Sequence, residues 1–119
     1  MEEKLREECG VFGIRTKEND SASMTHSALM ALQHRGQEGA GIASLVGEKI
    51  NLFKNKGLVS EVFSPKDISD LGDAEVSIGH VRYSTTGSNS KANTQPILAE
   101  YLRGRVAVAH NGNIVNSME

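Results

Sequence analysis

Three short stretches carry residue types that acyl transfer requires. Cys9, the only cysteine of 119 residues, follows a charged leader and precedes the apolar run Gly10-Val11-Phe12-Gly13-Ile14. Arg82-Tyr83-Ser84-Thr85 closes a second apolar run, and Asn111-Gly112 follows a third, Val106-Ala107-Val108-Ala109. A thiol can attack a carbonyl if a base takes its proton. Freed at the N-terminus by removal of the leader, Cys9 would carry that base itself, because an α-amino group titrates at about 7.7–8.0. An Asn side-chain amide followed by a glycine N–H makes a pair of oxyanion donors, with no Cβ to keep the carbonyl oxygen away. Arg82 can grip a carboxylate through two parallel hydrogen bonds.

Each piece has an ordinary reading as well. A lone cysteine is more often a small, inert core residue, Asn-Gly is first a turn dipeptide, and an arginine at a strand end is usually solvated. Cys9 with His26, His34, His80 and His110 could be counted as metal ligands, but their spacing matches no zinc motif. His26 falls within a helical pattern and is given no role.

Composition narrows the class. The length suits one modest domain. Aromatic residues make up 4% with no tryptophan, so aliphatic side chains must build the core. Glu2, Glu3, Glu7 and Glu8 against Lys4 and Arg6 account for the whole net charge of −2, which gives no electrostatic footprint for nucleic acid. One cysteine excludes an internal disulfide framework and fits a reducing compartment. The leader lacks an apolar signal core and no apolar run approaches a membrane span. A cytoplasmic protein without nucleic-acid or membrane partners is expected.

The elements that must position these groups follow from patterning. Residues 9–15 read as a buried strand. Asp20 or Ser21 would cap a helix from Ala22 to Leu32, with Ala28, Leu29 and Leu32 on one face beside Met24 or Thr25. Gln33 to Gly41 reads as a glycine-rich turn, and Arg35 within it could line a site and face an anionic or carbonyl group. Strands at 42–46 and 49–53 would form a hairpin at Gly47. Leu58 to Phe63 reads as a short helix with Val59, Val62 and Phe63 inward. Ser64-Pro65 opens another, reaching Leu71. Val76 to Tyr83 is a strand with His80 and Arg82 on one face and Tyr83 on the other. Ser84 to Pro96 reads as a polar lid or binding loop. Strands 97–102 and 105–110 would pair about Gly104, the second buried at the centre of a sheet. A helix is expected to begin after Asn113 or Asn116, and the chain reads as part of a longer one.

Five stretches, in order, resemble one family. They are Glu-Glu-Cys-Gly-Val-Phe-Gly-Ile, Leu-Gln-His-Arg-Gly-Gln-Glu-Gly-Ala-Gly-Ile, Lys-Gly-Leu-Val-Ser-Glu-Val-Phe, Gly-His-Val-Arg-Tyr-Ser-Thr-Thr-Gly and Ala-His-Asn-Gly-Asn-Ile-Val-Asn. The family is that of the amidophosphoribosyltransferases, or glutamine phosphoribosylpyrophosphate amidotransferases. The Gln-His-Arg-Gly-Gln form separates it from related glutaminase domains that share the Cys-Gly start and the Asn-Gly pair.

The resemblance implies an α+β fold, a four-layer αββα sandwich of the N-terminal-nucleophile hydrolase type, incomplete in this chain. Residues 1–8 would be a propeptide and residues 9–119 the N-terminal part of a class II glutamine amidotransferase domain. It implies that Cys9 is the nucleophile, that Asn111 and Gly112 form the oxyanion hole, and that Arg82 and Thr85 hold glutamine, with Arg35 beside the nucleophile. Glutamine would be hydrolysed through a cysteine thioester. The ammonia would pass to a synthase domain outside this chain, which uses phosphoribosyl pyrophosphate to form 5-phosphoribosylamine in purine biosynthesis. The full-length enzyme would be a homo-oligomer using magnesium and, in propeptide-bearing members, an iron–sulfur cluster whose cysteines are not in this chain. The rival reading is a glutamine-binding module, or a fragment without activity of its own.

Overall fold

The computed structural model describes residues 10–33, 37–83 and 94–110. The chain runs β1 (Gly10–Arg15), α1 (Ser21–Leu32), β2 (Gln37–Val46), β3 (Lys49–Lys56), α2 (Val59–Val62), α3 (Pro65–Asp70), β4 (Val76–Tyr83), β5 (Ile97–Tyr101) and β6 (Gly104–Val108). Strands β1-β4-β2-β3 form one antiparallel sheet in that order, and β5-β6 form a second. This is an α+β arrangement: helices, the four-stranded sheet, and the two-stranded sheet on its other side.

Alternation along β4 sorts the two faces. Ser77, Gly79, Val81 and Tyr83 point to α1: Ser77 meets the Ser21 hydroxyl at 2.6 Å, and the Tyr83 hydroxyl donates to the Leu32 carbonyl at 2.6 Å. Gly79 allows the close approach between them, since a Cβ there would lie 2.6 Å from Thr25 Cγ2 and 3.1 Å from Leu29. Leu29, Ala22, Ile42, Val81, Val59 and Phe63 fill this side of the sheet, and fully burying one leucine contributes about 1.5–3 kcal/mol. The opposite face carries Val76, Ile78, His80 and Arg82. Arg105, Val106 and Ala107 of β6 line a cleft of about 240 Å³ there with Ala43, Leu45, Ile50, Val76 and Ile78.

Several expectations need correction. β2 begins at Gln37 rather than Ile42, so much of the glycine-rich stretch is strand and not turn. The reason is contact: Thr94 to Pro96 crosses β2 on the face opposite α1, and a Cβ at Gly41 would collide with the Gln95 carbonyl and the Pro96 ring. Among the described residues β1 lies at the edge of its sheet with alternating exposure, not buried, and Val11 is 44% exposed. β6 is not a central buried strand. It pairs with β5 alone among the described residues, leaving Val106 41% and Val108 49% exposed.

Asp20 occupies the N-cap of α1 but makes no side-chain cap bond. The neighbouring Ser21 is buried, and its hydroxyl donates to the Ala74 carbonyl at 2.6 Å, so the helix start is tied to the segment just before β4. Thr25, not Met24, is the buried residue on the α1 face. The Gly47 hairpin, the two short helices and the β4 strand follow the sequence pattern. Ser64 caps α3 by accepting from Asp67 N at 3.2 Å, with Pro65 in the first turn. The leader, the segment 84–93 and the expected helix after Asn113 lie outside the described residues.

Candidate active site

Four passes of the chain converge at one end of the larger sheet. The antiparallel registers place Gly10, the start of β1, opposite Val81, and Gln37, the start of β2, opposite Tyr83. The last residues of β4 therefore lie between the first residues of β1 and β2. His110 is the fourth element, with its carbonyl oxygen 3.1 Å from Nε2 of His80.

Arg82 lies at this end, half-buried on the face away from α1, with Gly39 opposite it on β2. His80 shares that face, one pleat further into the sheet, as the alternation predicts. Cys9, Arg35, Thr85, Asn111 and Gly112 lie outside the described residues. Their covalent neighbours are at this end: Cys9 precedes Gly10, Asn111 follows His110, and Thr85 is two residues past Tyr83. Consecutive Cα atoms across a trans peptide are about 3.8 Å apart.

Gln33 and Gln37, the described residues on either side of Arg35, are both fastened to α2. Gln33 Oε1 accepts from Ser60 N at 3.1 Å, and Gln37 Oε1 accepts from Val59 N at 3.0 Å. Both N–H groups belong to the first turn of α2, which has no intrahelical partner for them. The Gln37 amide also donates to the carbonyls of Gly39 and Gly57, each at 2.7 Å. The far side of the site is fastened by residues 94–96. Thr94 is buried over Gly39, where a Cβ would lie 3.2 Å from its hydroxyl. Lys54 Nζ donates to the Pro96 carbonyl at 3.2 Å. Tyr83, opposite Gln37, and Thr94, over Gly39, thus both lie at the start of β2.

His80 is fully buried, and burial pushes its pKa down to about 4. The Arg82 charge and His110 push the same way, while the bond to the His110 carbonyl pushes back. The ring is neutral at pH 7. Because a carbonyl can only accept, Nε2 carries the proton. Gln33, Gln37, Gln95 and His80 are the supports that sequence reading leaves without a role. A signal for the crossing segment was present: glycines at 39 and 41, two apart, flatten one face of a strand.

Among the described residues, no three His, Cys, Asp or Glu side chains gather to hold a metal ion. Among them, too, no helix is long and apolar enough to cross a membrane.

Comparison with known proteins places these features in a family. The chain is 48% identical over 120 residues to an amidophosphoribosyltransferase of Methanothermobacter thermautotrophicus, covering 99% of this chain and 25% of the relative. It is 49% identical over 117 residues to that of Synechococcus elongatus, covering 98% of this chain and 24% of the relative. It therefore spans about a quarter of the length of these relatives. Among solved structures, the glutamine phosphoribosylpyrophosphate amidotransferase of B. subtilis, complexed with ADP and GMP, superposes with a TM-score of 0.71 at 40% identity, covering 93% of this chain and 23% of that one. A structure described as the allosteric regulatory enzyme of purine biosynthesis gives 0.73 at 42% identity, covering 82% and 21%. The family of class-II glutamine amidotransferases matches residues 9–119. That match opens on Cys9, the thiol from which the chemistry was read, and the chain belongs to the class-II glutamine amidotransferases.

Proposed function

We propose that this chain supplies the glutamine-hydrolysing site of an amidophosphoribosyltransferase. Autocatalytic loss of residues 1–8 exposes the Cys9 amine, which takes the thiol proton directly or through one water. The thiolate attacks the side-chain amide carbon of glutamine. The tetrahedral oxyanion is held by the Asn111 side-chain amide and the Gly112 N–H. The intermediate collapses with protonation of the leaving nitrogen, ammonia departs, and a γ-glutamyl thioester remains. Water then hydrolyses the thioester, giving glutamate and regenerating the thiol. Arg82 grips the glutamine α-carboxylate, Thr85 contacts the substrate, and Arg35 lines the wall beside the nucleophile.

In the full-length protein the ammonia displaces pyrophosphate from phosphoribosyl pyrophosphate to give 5-phosphoribosylamine. The single cysteine fits the reducing conditions of the cytoplasm.

The observation that carries this reading is the convergence of Gly10, Gln37, Arg82 and His110 at one sheet end. Their chain neighbours are the residues that the reaction needs. Cys9→Ala in the full-length protein tests it: glutamine-dependent synthesis should vanish while ammonia-dependent synthesis persists. Loss of both together would assign Cys9 a structural role instead.

A further inference from the structure

The His110 backbone is held from both sides by side chains that belong to neither of its neighbouring strands. Its carbonyl faces His80 Nε2 at 3.1 Å, and its N–H donates to Gln95 Oε1 at 2.5 Å. Gln95 is itself seated by its backbone against Gly41. The partners of His80 across the sheet are Val11 on β1 and Gly41 on β2, neither of them polar in its side chain. A phenyl ring would pack in this position at no desolvation cost, yet a buried imidazole occupies it. Among the described residues the ring's one hydrogen bond is to His110, and Nδ1 has no partner.

We propose that His80 is a positioning residue for the Asn111–Gly112 oxyanion donors, acting through the His110 carbonyl. This rests on the reading of those two residues given above. The peptide joining His110 to Asn111 is planar, so holding its oxygen restrains the plane of the backbone unit that leads to the Asn111 side-chain amide and the Gly112 N–H. His80 Nε2–H sets that plane, and the Gln95 amide oxygen fixes the peptide before it. His110, from which the chain continues to Asn111, is thus tied to the larger sheet and to Gln95 as well as to the β5-β6 hairpin. Misplacement of a reacting group by about 1 Å can cost about 100-fold in rate.

The test uses the full-length protein with His80→Phe, which keeps a ring and removes the donor, and His80→Gln, which restores an amide N–H at similar reach. His80→Phe should lower kcat for glutamine hydrolysis by about 10- to 100-fold, with glutamine KM changed by less than about threefold. His80→Gln should recover kcat to within about fivefold of the parent. Alkylation of Cys9 by iodoacetamide uses no oxyanion donor and should proceed at the parent rate in both. If His80→Phe does not fold, His80→Asn, whose amide falls short of the carbonyl, replaces it with the same expected loss.

Parent-like kcat without the donor overturns the proposal. So does an equal loss in the Gln variant, or a fall in the alkylation rate that tracks the fall in kcat. A Cys9→Ala protein that still hydrolyses glutamine would sink the underlying site assignment whatever His80 does. A dead Cys9→Ala protein beside a fully active His80→Phe protein would remove only the positioning role.

Discussion

The hydroxyl of Tyr83, at the last residue of β4, donates a 2.6 Å hydrogen bond to the carbonyl of Leu32, at the last residue of α1. One bond thereby ties the end of the helix to the end of the strand that presents Arg82. It also satisfies a carbonyl that the helix leaves without an internal partner. Tyr83→Phe should lower stability by about 1 kcal/mol. Urea unfolding should show a reduced midpoint with an unchanged slope, and a changed slope would point to altered compactness instead.

Gly79→Ala would drive a methyl group into Thr25 and Leu29 of α1. Overpacking of this kind costs about 1–3 kcal/mol. Thr25→Ser removes the methyl nearest to the new one. The double variant should therefore be more stable than the sum of the single changes predicts, by about 1 kcal/mol, in a double-mutant cycle. Strict additivity would contradict the close packing of α1 on β4.

The buried neutral His80 makes the fold acid-sensitive. Its folded pKa of about 4 lies below the ordinary 6.5, so below pH 6.5 the unfolded chain takes up a proton that the folded chain refuses. Stability is unaffected by this group above about pH 6.5, falls between about 6.5 and 4, and levels off below that. The full loss is about 3 kcal/mol. Arg82 on the same face of β4 deepens the effect, while Val11 and Gly41 beside His80 bring no charge. His80→Gln should flatten the pH dependence of unfolding free energy across this window. An unchanged slope would show that the ring titrates normally.

Arg82→Ala should raise the glutamine KM more than it lowers kcat, since a carboxylate grip serves ground state and transition state alike. Arg82→Lys should recover only part of the loss, because an ammonium cannot make the two parallel bonds. Steady-state glutaminase kinetics would show it. A pure loss of kcat at unchanged KM would contradict the role.

How much of this was legible in the sequence depended on whether the signal was local. The β4 strand, with His80 and Arg82 on one face and Tyr83 on the other, follows from alternation alone. The α3 helix follows from Ser64 and Pro65, and the hairpin from Gly47. The start of β2 was misread because glycine favours turns in isolation, whereas Gly39 and Gly41 serve to let Thr94 to Pro96 cross the strand. That requirement comes from residues more than fifty positions away. The burial of β6 was misread for a related reason: an apolar strand says nothing of what covers it. At the site, the motifs named Cys9, Arg35, Arg82, Thr85, Asn111 and Gly112, and only Arg82 among them is a described residue. The link from His80 to His110 joins a side chain to a main-chain oxygen thirty residues away, and no motif encodes it.

The most direct measurement is the intact mass of the purified full-length protein before and after brief acid quenching of its reaction with glutamine. The account predicts a chain whose first residue is Cys9, with residues 1–8 gone, and a fraction carrying one glutamyl group on that cysteine. A protein that hydrolyses glutamine while Cys9 remains internal and unmodified would contradict it.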